Sequence, residues 1–401
     1  MAVGKTEYYV MNANWFTSTI NDVCLVVTDG SHFSPKSVNI GQYMVSVKDF
    51  TDYGFDFSGC RKISDDDYFT LQKNGCVPEF EDILIGKDGA RYFEDIIVYR
   101  QEERPALLSS IAILRCDKAK ILPDFLYYLM KTPDFRQDVR ENYASGSAIP
   151  RIILKDFKRM PIRYPSIAQQ HKIVGLLSAF DHKIALNARM NDNLEQQVKV
   201  LFAEMFPSAG NVKMANGILS DIAHITMGQS PNGKSYNEAG IGTVFFQGRA
   251  EFGFRFPVIR LFTTEPKRMA TRGDTLMSVR APVGDLNVAH EHCCIGRGLS
   301  AIHSKYGHSS FILYTMFSLR TQLDIFNGQG TVFGSINKDA LNEMPVFVPE
   351  TSEIERFENI AAPIDRMILK NHDEIVCLTA LRDALLPRLM SGELDVSVLD
   401  L

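Results

Sequence analysis

Residues 160–187 (MPIRYPSIAQQHKIVGLLSAFDHKIALN) have a counterpart at residues 344–371 (MPVFVPETSEIERFENIAAPIDRMILKN). Met160-Pro161 matches Met344-Pro345 and Asp181 matches Asp365, at a constant offset of 184 residues. Each stretch leads from the end of a globular region into a long segment with helical periodicity. The chain is therefore a tandem repeat, in which a globular region followed by a long helix occurs twice.

The repeat extends toward the start of each copy. Asp22-Val-Cys matches Asp221-Ile-Ala, and Tyr53-Gly-Phe-Asp-Phe57 matches the segment from Glu251 to Phe256. We predict an α+β fold with a pseudo-two-fold internal repeat, in which two β-rich α/β domains in tandem are separated and joined by two long helices that form an antiparallel coiled coil. The predicted boundaries are 1–166 for the first domain, 167–206 for the first helix, 207–350 for the second domain, and 351–401 for the second helix with its tail.

Composition is that of an ordinary globular protein, with 401 residues of which 45% are hydrophobic. The sequence has no apolar run of 18 residues, and its first residues carry no signal-peptide pattern, so we expect a cytoplasmic protein without a membrane partner. Seven scattered cysteines without C-x-x-C spacing fit a reducing compartment and argue against a disulfide framework.

The net charge of −5 is unevenly distributed along the chain. Residues 351–401 hold 5 Lys or Arg and 10 Asp or Glu, whereas Arg140–Arg163 and Arg255–Arg280 each hold six basic and two acidic residues. Contact with phosphate depends on local basic patches rather than on net charge, so the acidic total does not exclude nucleic-acid binding. A solvated charged surface would explain either stretch equally well.

Both long segments show a heptad seam, in which apolar residues step alternately by four and three. The seam positions of the first segment are Ile173, Leu177, Phe180, Ile184, Asn187, Asn191, Leu194, Val198, Leu201 and Met205; those of the second are Phe357, Ala361, Ile364, Ile368, Asn371, Ile375, Leu378, Arg382, Leu385 and Leu389. The match between distant segments predicts that the helices pair with each other, with Ile184, Asn187, Leu194, Ile368, Asn371 and Leu378 in the contact. Arg382 breaks the apolar pattern, and Pro363 predicts that the second helix begins or kinks there.

The alternative is that each helix packs only on its own globular region. If the helices do pair, a continuous seam of about 25–30 residues spans roughly 40 Å. This length is close to the ~34 Å of one turn of duplex DNA. Such a spacer would present two similar reading domains to successive segments of one duplex.

Residues Gly228–Ser235 (GQSPNGKS) fit the P-loop pattern G-x-x-x-x-G-K-[ST]. A phosphate-binding loop must lead into a helix, but the following Tyr-Asn-Glu-Ala-Gly240-Ile-Gly242 contains two glycines and no amphipathic period. A nucleotide-hydrolysing enzyme is therefore the alternative function that this motif leaves open.

Other catalytic or metal-binding patterns are missing from the sequence. His290-Glu-His292-Cys293-Cys294 offers soft metal ligands, but neighbouring strand residues point to opposite faces, and core packing is the preferred interpretation. No Ser/His/Asp arrangement, zinc-protease motif or adenine-methyltransferase tetrapeptide occurs. We predict no catalytic residues and no metal site, so that a partner supplies any chemistry.

Polar loops that contain glycine or a cation recur at matched places, for instance Gly86–Arg91 against Ser278–Gly284. Because they follow apolar strands and carry Lys or Arg, we predict contacts to phosphates and base edges, although ordinary turns would also explain them. The predicted DNA-binding residues are Lys36, Lys87, Arg91, Ser147, Arg151, Lys155, Gln229, Ser230, Lys234, Arg249, Arg280, Arg297, Thr331 and Lys338.

With the repeat, the helices and these loops in view, the chain resembles the specificity subunits of bacterial type I restriction-modification enzymes. The resemblance rests on segments such as Asp29–Lys36, Gly228–Pro231, Ser278–Asp285, Cys294–Leu299 and Leu381–Gly392, and covers almost all of residues 20–396. The second helix departs from the family pattern, since it opens with Glu350-Thr-Ser-Glu where the first copy has Ala168-Gln-Gln170.

The resemblance implies two target-recognition domains that each read half of a bipartite, gapped site in double-stranded DNA. It also implies that the paired helices dock two modification (methyltransferase) subunits, which carry S-adenosylmethionine and methylate adenine. Restriction subunits would add ATP-driven translocation and Mg-dependent cleavage, so this chain would bind no cofactor itself. A helical interaction scaffold without DNA binding is the remaining alternative.

Overall fold

The computed structural model describes residues 15–146, 150–328 and 334–396. The chain forms two compact units: the first comprises the chain up to Ala185 together with the chain from Ile375, and the second comprises Leu186–Glu374. Each compact unit includes part of both long helices, because the helices contribute to the hydrophobic core of each unit. The predicted domain boundaries stay a prediction.

The first unit is built from strands and short helices. Its strands are β1 (Phe16–Thr19), β2 (Cys24–Asp29), β3 (Gln42–Val45), β4 (Phe50–Thr51), β5 (Gly54–Phe55), β6 (Arg61–Ile63), β7 (Ile83–Gly86), β8 (Ile96–Val98), β9 (Ala106–Leu107), β10 (Ile111–Cys116) and β11 (Pro161–Tyr164). Its helices are α1 (Ile20–Val23), α2 (Asp65–Lys73), α3 (Pro123–Lys131), α4 (Pro133–Asn142) and α5 (Leu154–Arg159).

A four-stranded antiparallel sheet of order β2-β10-β7-β8 lies at the centre of the first unit. Its strand β7 is apolar throughout and buried on both faces. Since neighbouring side chains of a strand point to opposite faces, Ile83 and Ile85 pack with α3, whereas Leu84 packs in a separate cluster with Ile97. A second sheet has the order β6-β3-β9.

The second unit repeats this organisation. It contains the part of the long helix α6 (Ile167–Met205) from Leu186 onward and the part of the long helix α11 (Thr351–Ser391) up to Glu374. Its strands are β12 (Gly217–Ile218), β13 (Ala223–Met227), β14 (Tyr236–Asn237), β15 (Thr243–Phe246), β16 (Leu261–Thr263), β17 (Met269–Ala270), β18 (Thr275–Ser278), β19 (Leu286–Val288), β20 (Cys293–Ile295), β21 (Leu299–Ser304) and β22 (Pro345–Val346). Its short helices are α7 (Leu219–Ile222), α8 (Ser309–Ser318), α9 (Arg320–Asp324) and α10 (Lys338–Asn342).

The central sheet of the second unit has the order β13-β21-β18-β19 and is antiparallel, as in the first unit. A five-stranded sheet of order β14-β16-β15-β20-β17 lies beside it in the same hydrophobic cluster. Each unit also pairs its first strand with the strand before its long helix, β1 with β11 and β12 with β22. The sequence repeat is therefore also a repeat of sheet topology, within a mixed α and β fold.

Within the second unit, α6 and α11 contact each other in opposite directions. The Asn187 side chain donates to Glu374 at 2.8 Å, and the Asn371 side chain donates to Asn191 at 2.9 Å. The partner on α11 moves backward as the chain advances along α6, so the helices are antiparallel there. Asn187, Asn371 and Ile368 are buried, whereas Leu194 is half-buried.

In the first unit, Ile184 and Leu378 are half-buried. Arg382, which interrupts the apolar seam, has hydrogen-bond partners there. Arg382 donates to Asp181 at 2.6 Å, and Tyr128 donates to the same carboxylate at 2.6 Å. Burial alone would lower the pKa of Arg382, but its bonds to Asp181 and Asp383 raise it above the ordinary value. The cation is therefore held in its charged form by a carboxylate from the other helix.

The second helix does not begin at Pro363, because α11 begins at Thr351 and runs through that residue. A kink at Pro363 stays a prediction. A proline inside a helix removes one amide donor, yet Phe357 and Ala361 before it and Ile364 after it pack in the apolar core and stabilise the helix.

Two further findings concern the whole set of described residues. No helix among them is both long and apolar enough to cross a membrane. All seven cysteines are free.

Candidate nucleic-acid interface

Four loops of the second unit lie together at one end of its sheets; residues 228–231, 247–249, 279–282 and 296–298 are called the second loop cluster below. Backbone hydrogen bonds join them: Gln229 donates to Ile295 at 2.9 Å, Gly296 to Phe246 at 2.8 Å, and Val279 to Gly298 at 2.9 Å. Three of these loops are separate motifs in the sequence, and the fold brings them into one surface.

Glycines allow these loops to approach one another closely. A Cβ atom on Gly228 would lie 2.1 Å from the carbonyl oxygen of Gly296, and one on Gly296 would lie 2.7 Å from that of Gln247. No real side chain fits at such distances, and the obstructing atoms are backbone. The matched glycine of the first copy, Gly30, is equally enclosed, with 2.3 Å to the carbonyl oxygen of Leu107.

The second loop cluster presents exposed polar and cationic side chains. Gln229, Arg280 and Arg297 are exposed, and the Arg297 amide donates to the Ser230 hydroxyl at 3.2 Å. Neither guanidinium has a hydrogen-bond or ion-pair partner among the residues that the structure describes. Two unpaired arginines on adjoining loops are well suited to bind phosphate oxygens or guanine edges.

Residues 334–336 extend this surface toward α10. Arg280 forms a β-bridge with Ser335, and the Ala281 amide donates to Gly334 at 2.9 Å. Lys338 is exposed in the first turn of α10, which Asn337 caps by accepting the Ala340 amide at 2.8 Å. Thr331, also predicted to bind DNA, lies outside the described residues.

Arg249 belongs to the same loops but has internal partners. It donates to Asp285, and Arg320 donates to the other oxygen of that carboxylate at 2.8 Å. Burial alone would raise the pKa of Asp285, but the two arginines lower it below its ordinary value. Arg249 is more than half exposed, so its contact with DNA stays a prediction, although it would compete with this ion pair.

The P-loop alternative lacks the helix that it requires. Gly233–Ser235 forms a single 3-10 turn and is followed directly by β14. The Lys234 amide is bonded to the Asn232 side chain at 3.1 Å, and the Ser235 hydroxyl lies 2.7 Å from that of Thr263. These groups are occupied by the protein itself, and the exposed Lys234 side chain projects from a turn rather than into a phosphate cradle.

The first unit has a corresponding set of loops, residues 29–31, 86–89, 107–110 and 150–152, called the first loop cluster. The Gly30 amide donates to Ile111 at 3.0 Å, Ser109 to Ser31 at 3.0 Å, and Ile152 to Lys87 at 3.0 Å. The matched loops of both copies therefore converge at the ends of equivalent strands.

Lys87 corrects the sequence-based expectation of a surface cation. Its side chain is only 8% exposed, and its ammonium lies 3.3 Å from Asp29 and 3.8 Å from Asp88. Burying an ammonium requires a carboxylate partner, and Asp29 at the end of β2 supplies one. Lys87 therefore neutralises a buried carboxylate beneath the first loop cluster.

The other predicted residues of the first unit lie at the surface. Arg151 is exposed on the loop that bridges to Asp88 and Ser145, and Lys36 and Lys155 are exposed. Arg91 is exposed but pairs with Asp95 at 2.6 Å. Ser147 lies outside the described residues, and DNA contact by all of these residues stays a prediction.

The predicted core role of the histidine and cysteine segment is borne out for its cysteines. Cys293 and Cys294 are fully buried in β20, and burial raises the pKa of Cys293 to about 12. Among the described residues, no group of three His, Cys, Asp or Glu side chains could hold a metal ion.

Sequence reasoning missed a buried arginine, Arg255, which it counted only as part of a basic stretch. The structure places it in contact with Glu195 of α6, Tyr314 of α8 and Asp365 of α11. The repeat contained a signal for this group, because Asp365 matches Asp181, and each accepts a hydrogen bond from a tyrosine of the preceding helical region.

Comparison with known proteins shows similarity to one family. Residues 12–196 match the family described as the type I restriction modification DNA specificity domain. A relative from Methanocaldococcus jannaschii, described as the specificity subunit of the type I restriction enzyme MjaX, is 26% identical over 98% of this chain and 96% of its own length. The MjaIX specificity subunit of the same organism is 22% identical over 70% of this chain and 71% of its own.

A solved structure shares the fold. The S subunit of a type I restriction-modification system from M. genitalium superposes with a TM-score of 0.58 at 17% identity, covering 95% of this chain and 97% of that one.

Proposed function

Since the chain belongs to the family of type I restriction-modification specificity subunits, which are the non-catalytic, DNA-recognising components of these systems, we propose that it reads a bipartite, gapped site in double-stranded DNA. The first loop cluster would contact one half-site and the second loop cluster the other. The observation that carries this proposal is the repetition of glycine-enclosed loops with exposed cations at the same end of two topologically equivalent sheets.

We further propose that α6 and α11 pair along their length as a coiled coil that sets the gap between the half-sites. The antiparallel contacts of Asn187 with Glu374 and of Asn371 with Asn191 support this. Buried asparagines at a helix seam are known to fix register at some cost in stability.

The same helices are the proposed dock for two modification subunits. Large apolar side chains on them are exposed, and an unpartnered apolar helix surface is typical of a protein interface. These exposed residues are Leu186, Met190, Val200, Ile360, Met367, Val376 and Leu381. Modification subunits would bring S-adenosylmethionine and methylate adenine, and restriction subunits would bring ATP and Mg.

Sequencing of methylated positions in DNA exposed to the assembled enzyme tests the proposal. We expect methylated adenines within two short sequence blocks separated by a fixed, unspecific gap. Binding measured at several salt concentrations should weaken as salt rises, because phosphate contacts release counterions. An assembled complex without salt-dependent DNA binding would contradict DNA reading and favour a helical scaffold.

A further inference from the structure

The loop Gly253–Arg260 of the second unit carries an arginine that is buried against three helices. Arg255 is 3% exposed, and its guanidinium donates to Glu195 at 2.9 Å and to the Tyr314 hydroxyl at 3.0 Å. It also donates to Asp365. Glu195 belongs to α6 and Asp365 to α11, so one side chain from a loop is bonded to both long helices.

The charges around Arg255 balance. The Lys199 ammonium lies 2.6 Å from Glu195, so two cations, Arg255 and Lys199, pair with the two carboxylates of Glu195 and Asp365. Burial alone would lower the pKa of Arg255, but Asp365, Tyr314 and Glu195 raise it above the ordinary value. The planar guanidinium can bond several partners at once, which a lysine ammonium cannot match in this geometry.

The other side of the same loop is tied to the central sheet. Gly253 and the Asn287 side chain exchange two hydrogen bonds of 3.1 Å each, and the Val288 amide donates to the carbonyl of Arg255 at 2.8 Å. Asn287 and Val288 belong to β19, which pairs with β18. Because Arg280 lies in the connection from β18 to β19, the loop links the two long helices to the strands that carry the second loop cluster.

The first unit lacks this link at the aligned position. Sequence alignment of the copies places Asp56 opposite Arg255, and Asp56 is exposed and accepts from its own neighbour Ser58 at 2.9 Å. Asp181, the counterpart of Asp365, is met by Arg382 of α11 instead. An arginine borne by the loop is thus particular to the second unit.

We propose that Arg255 is a positioning residue that fixes the sheet of the second loop cluster on α6 and α11, and thereby makes the enzyme strict about the gap between half-sites. The effect on gap length rests on the proposed function; the mechanical link does not. Without the link, the reading loops keep their side chains but gain orientational freedom on the helices. Base preference should then persist while tolerance for a changed gap increases.

The test uses the full chain assembled with its modification subunits. The triple variant Glu195→Gln/Arg255→Met/Asp365→Asn removes the link without leaving a buried carboxylate unpaired. Methylation is measured on DNA whose gap is native, one base pair shorter or one longer. Arg260→Gln is the matched control, since Arg260 lies on the same loop, is 61% exposed and pairs with Glu251 rather than with a helix.

We expect the triple variant to methylate the altered gaps at least tenfold more efficiently, relative to the native gap, than the wild type or the control does. The recognised bases of both half-sites should stay the same. Hydrogen exchange of the free chain gives a second measurement: the Val288 amide should exchange at least tenfold faster in the triple variant, with β21 unaffected. If the triple variant does not fold, Arg255→Lys should show the same changes to a smaller degree, because lysine keeps the charge but not the planar guanidinium that bonds several partners.

Unchanged gap preference in a folded, assembled variant would overturn the inference. A wild-type enzyme that methylates ungapped sites would instead contradict the proposed function, and hydrogen exchange at Val288 would still decide whether Arg255 anchors the loop.

Discussion

At the scale of single residues, the cations of the two loop clusters differ in whether they have a partner within the protein. The side chains of Arg280 and Arg297 are exposed and have no partner among the described residues. Lys87, in contrast, forms an ion pair with Asp29, and Arg249 forms one with Asp285. A phosphate contact requires a cation that is free to exchange its hydration for an anionic ligand. Arg280 and Arg297 therefore are the strongest candidates for DNA contact in the second unit.

Changing Arg280 or Arg297 to Ala should weaken DNA binding without unfolding the chain, because neither side chain has an internal partner to lose. Loss of a phosphate contact would weaken binding to all sequences equally and reduce the slope of log affinity against log salt concentration by about one. Loss of a base contact would cost ~1–3 kcal/mol of binding free energy at a single base position. Fluorescence anisotropy of the assembled enzyme on cognate and scrambled duplexes distinguishes the two. Lys213→Ala, an exposed cation in the separate turn Val212–Met214, is the matched control, and wild-type affinity in both arginine variants would refute the assignment.

Sequence alone could not separate Lys87 from Arg280. Each follows an apolar strand in matched loops, so local pattern predicts the same role for both. What differs is a carboxylate 58 residues earlier in the chain, Asp29, which the pairing of β2 with β10 brings beneath the loop. Burial and ion pairing depend on such long-range contacts, which hydrophobic periodicity does not encode.

At the scale of elements, the two long helices were the most predictable part of the fold. Their heptad pattern placed Ile368, Asn187 and Asn371 in the contact, and all three are buried. The helix does not begin at Pro363, because apolar packing overrides local propensity there, and Arg382 interrupts the apolar pattern because the carboxylate of Asp181 gives it a partner. The short strands of two or three residues were beyond reach, since so few residues show no measurable period.

Changing Leu194 or Leu378 to Asp should destabilise the chain by roughly 2–4 kcal/mol, because each side chain is half-buried on a helix and a carboxylate there loses apolar contacts and hydration. Urea denaturation of the full chain, followed by circular dichroism at the helical minimum, measures the loss. Val376→Asp places the same carboxylate at a helix position that is 55% exposed and should change the midpoint little. Identical midpoints for wild type and both leucine variants would show that these positions are not part of the helix contact.

At the scale of the whole molecule, the repeat gives one chain two similar loop clusters that differ in detail. The sheet order and the glycine-enclosed loops recur, while the anchoring arginine comes from α11 in one unit and from the Gly253–Arg260 loop in the other. If the loop clusters read DNA as proposed, the scaffold and the reading residues are therefore separable. Replacing residues 211–350 by the corresponding region of a relative should change one half-site and leave the other half-site unaltered.

The helix pair gives the sharpest test of that separation. Seven residues inserted into both helices, after Arg189 in α6 and after His372 in α11, would fall between the Asn187–Glu374 contact and the Asn191–Asn371 contact and leave each intact. Seven residues nearly preserve helical phase and add ~10 Å, so the gap should lengthen by roughly three base pairs while both half-sites keep their bases. Methylation sequencing measures gap and bases together. The same insertion in α6 alone would carry Asn191 away from Asn371 and should prevent assembly. If the double insertion instead changes the recognised bases and leaves the gap constant, the helices take part in base reading and do not set the distance.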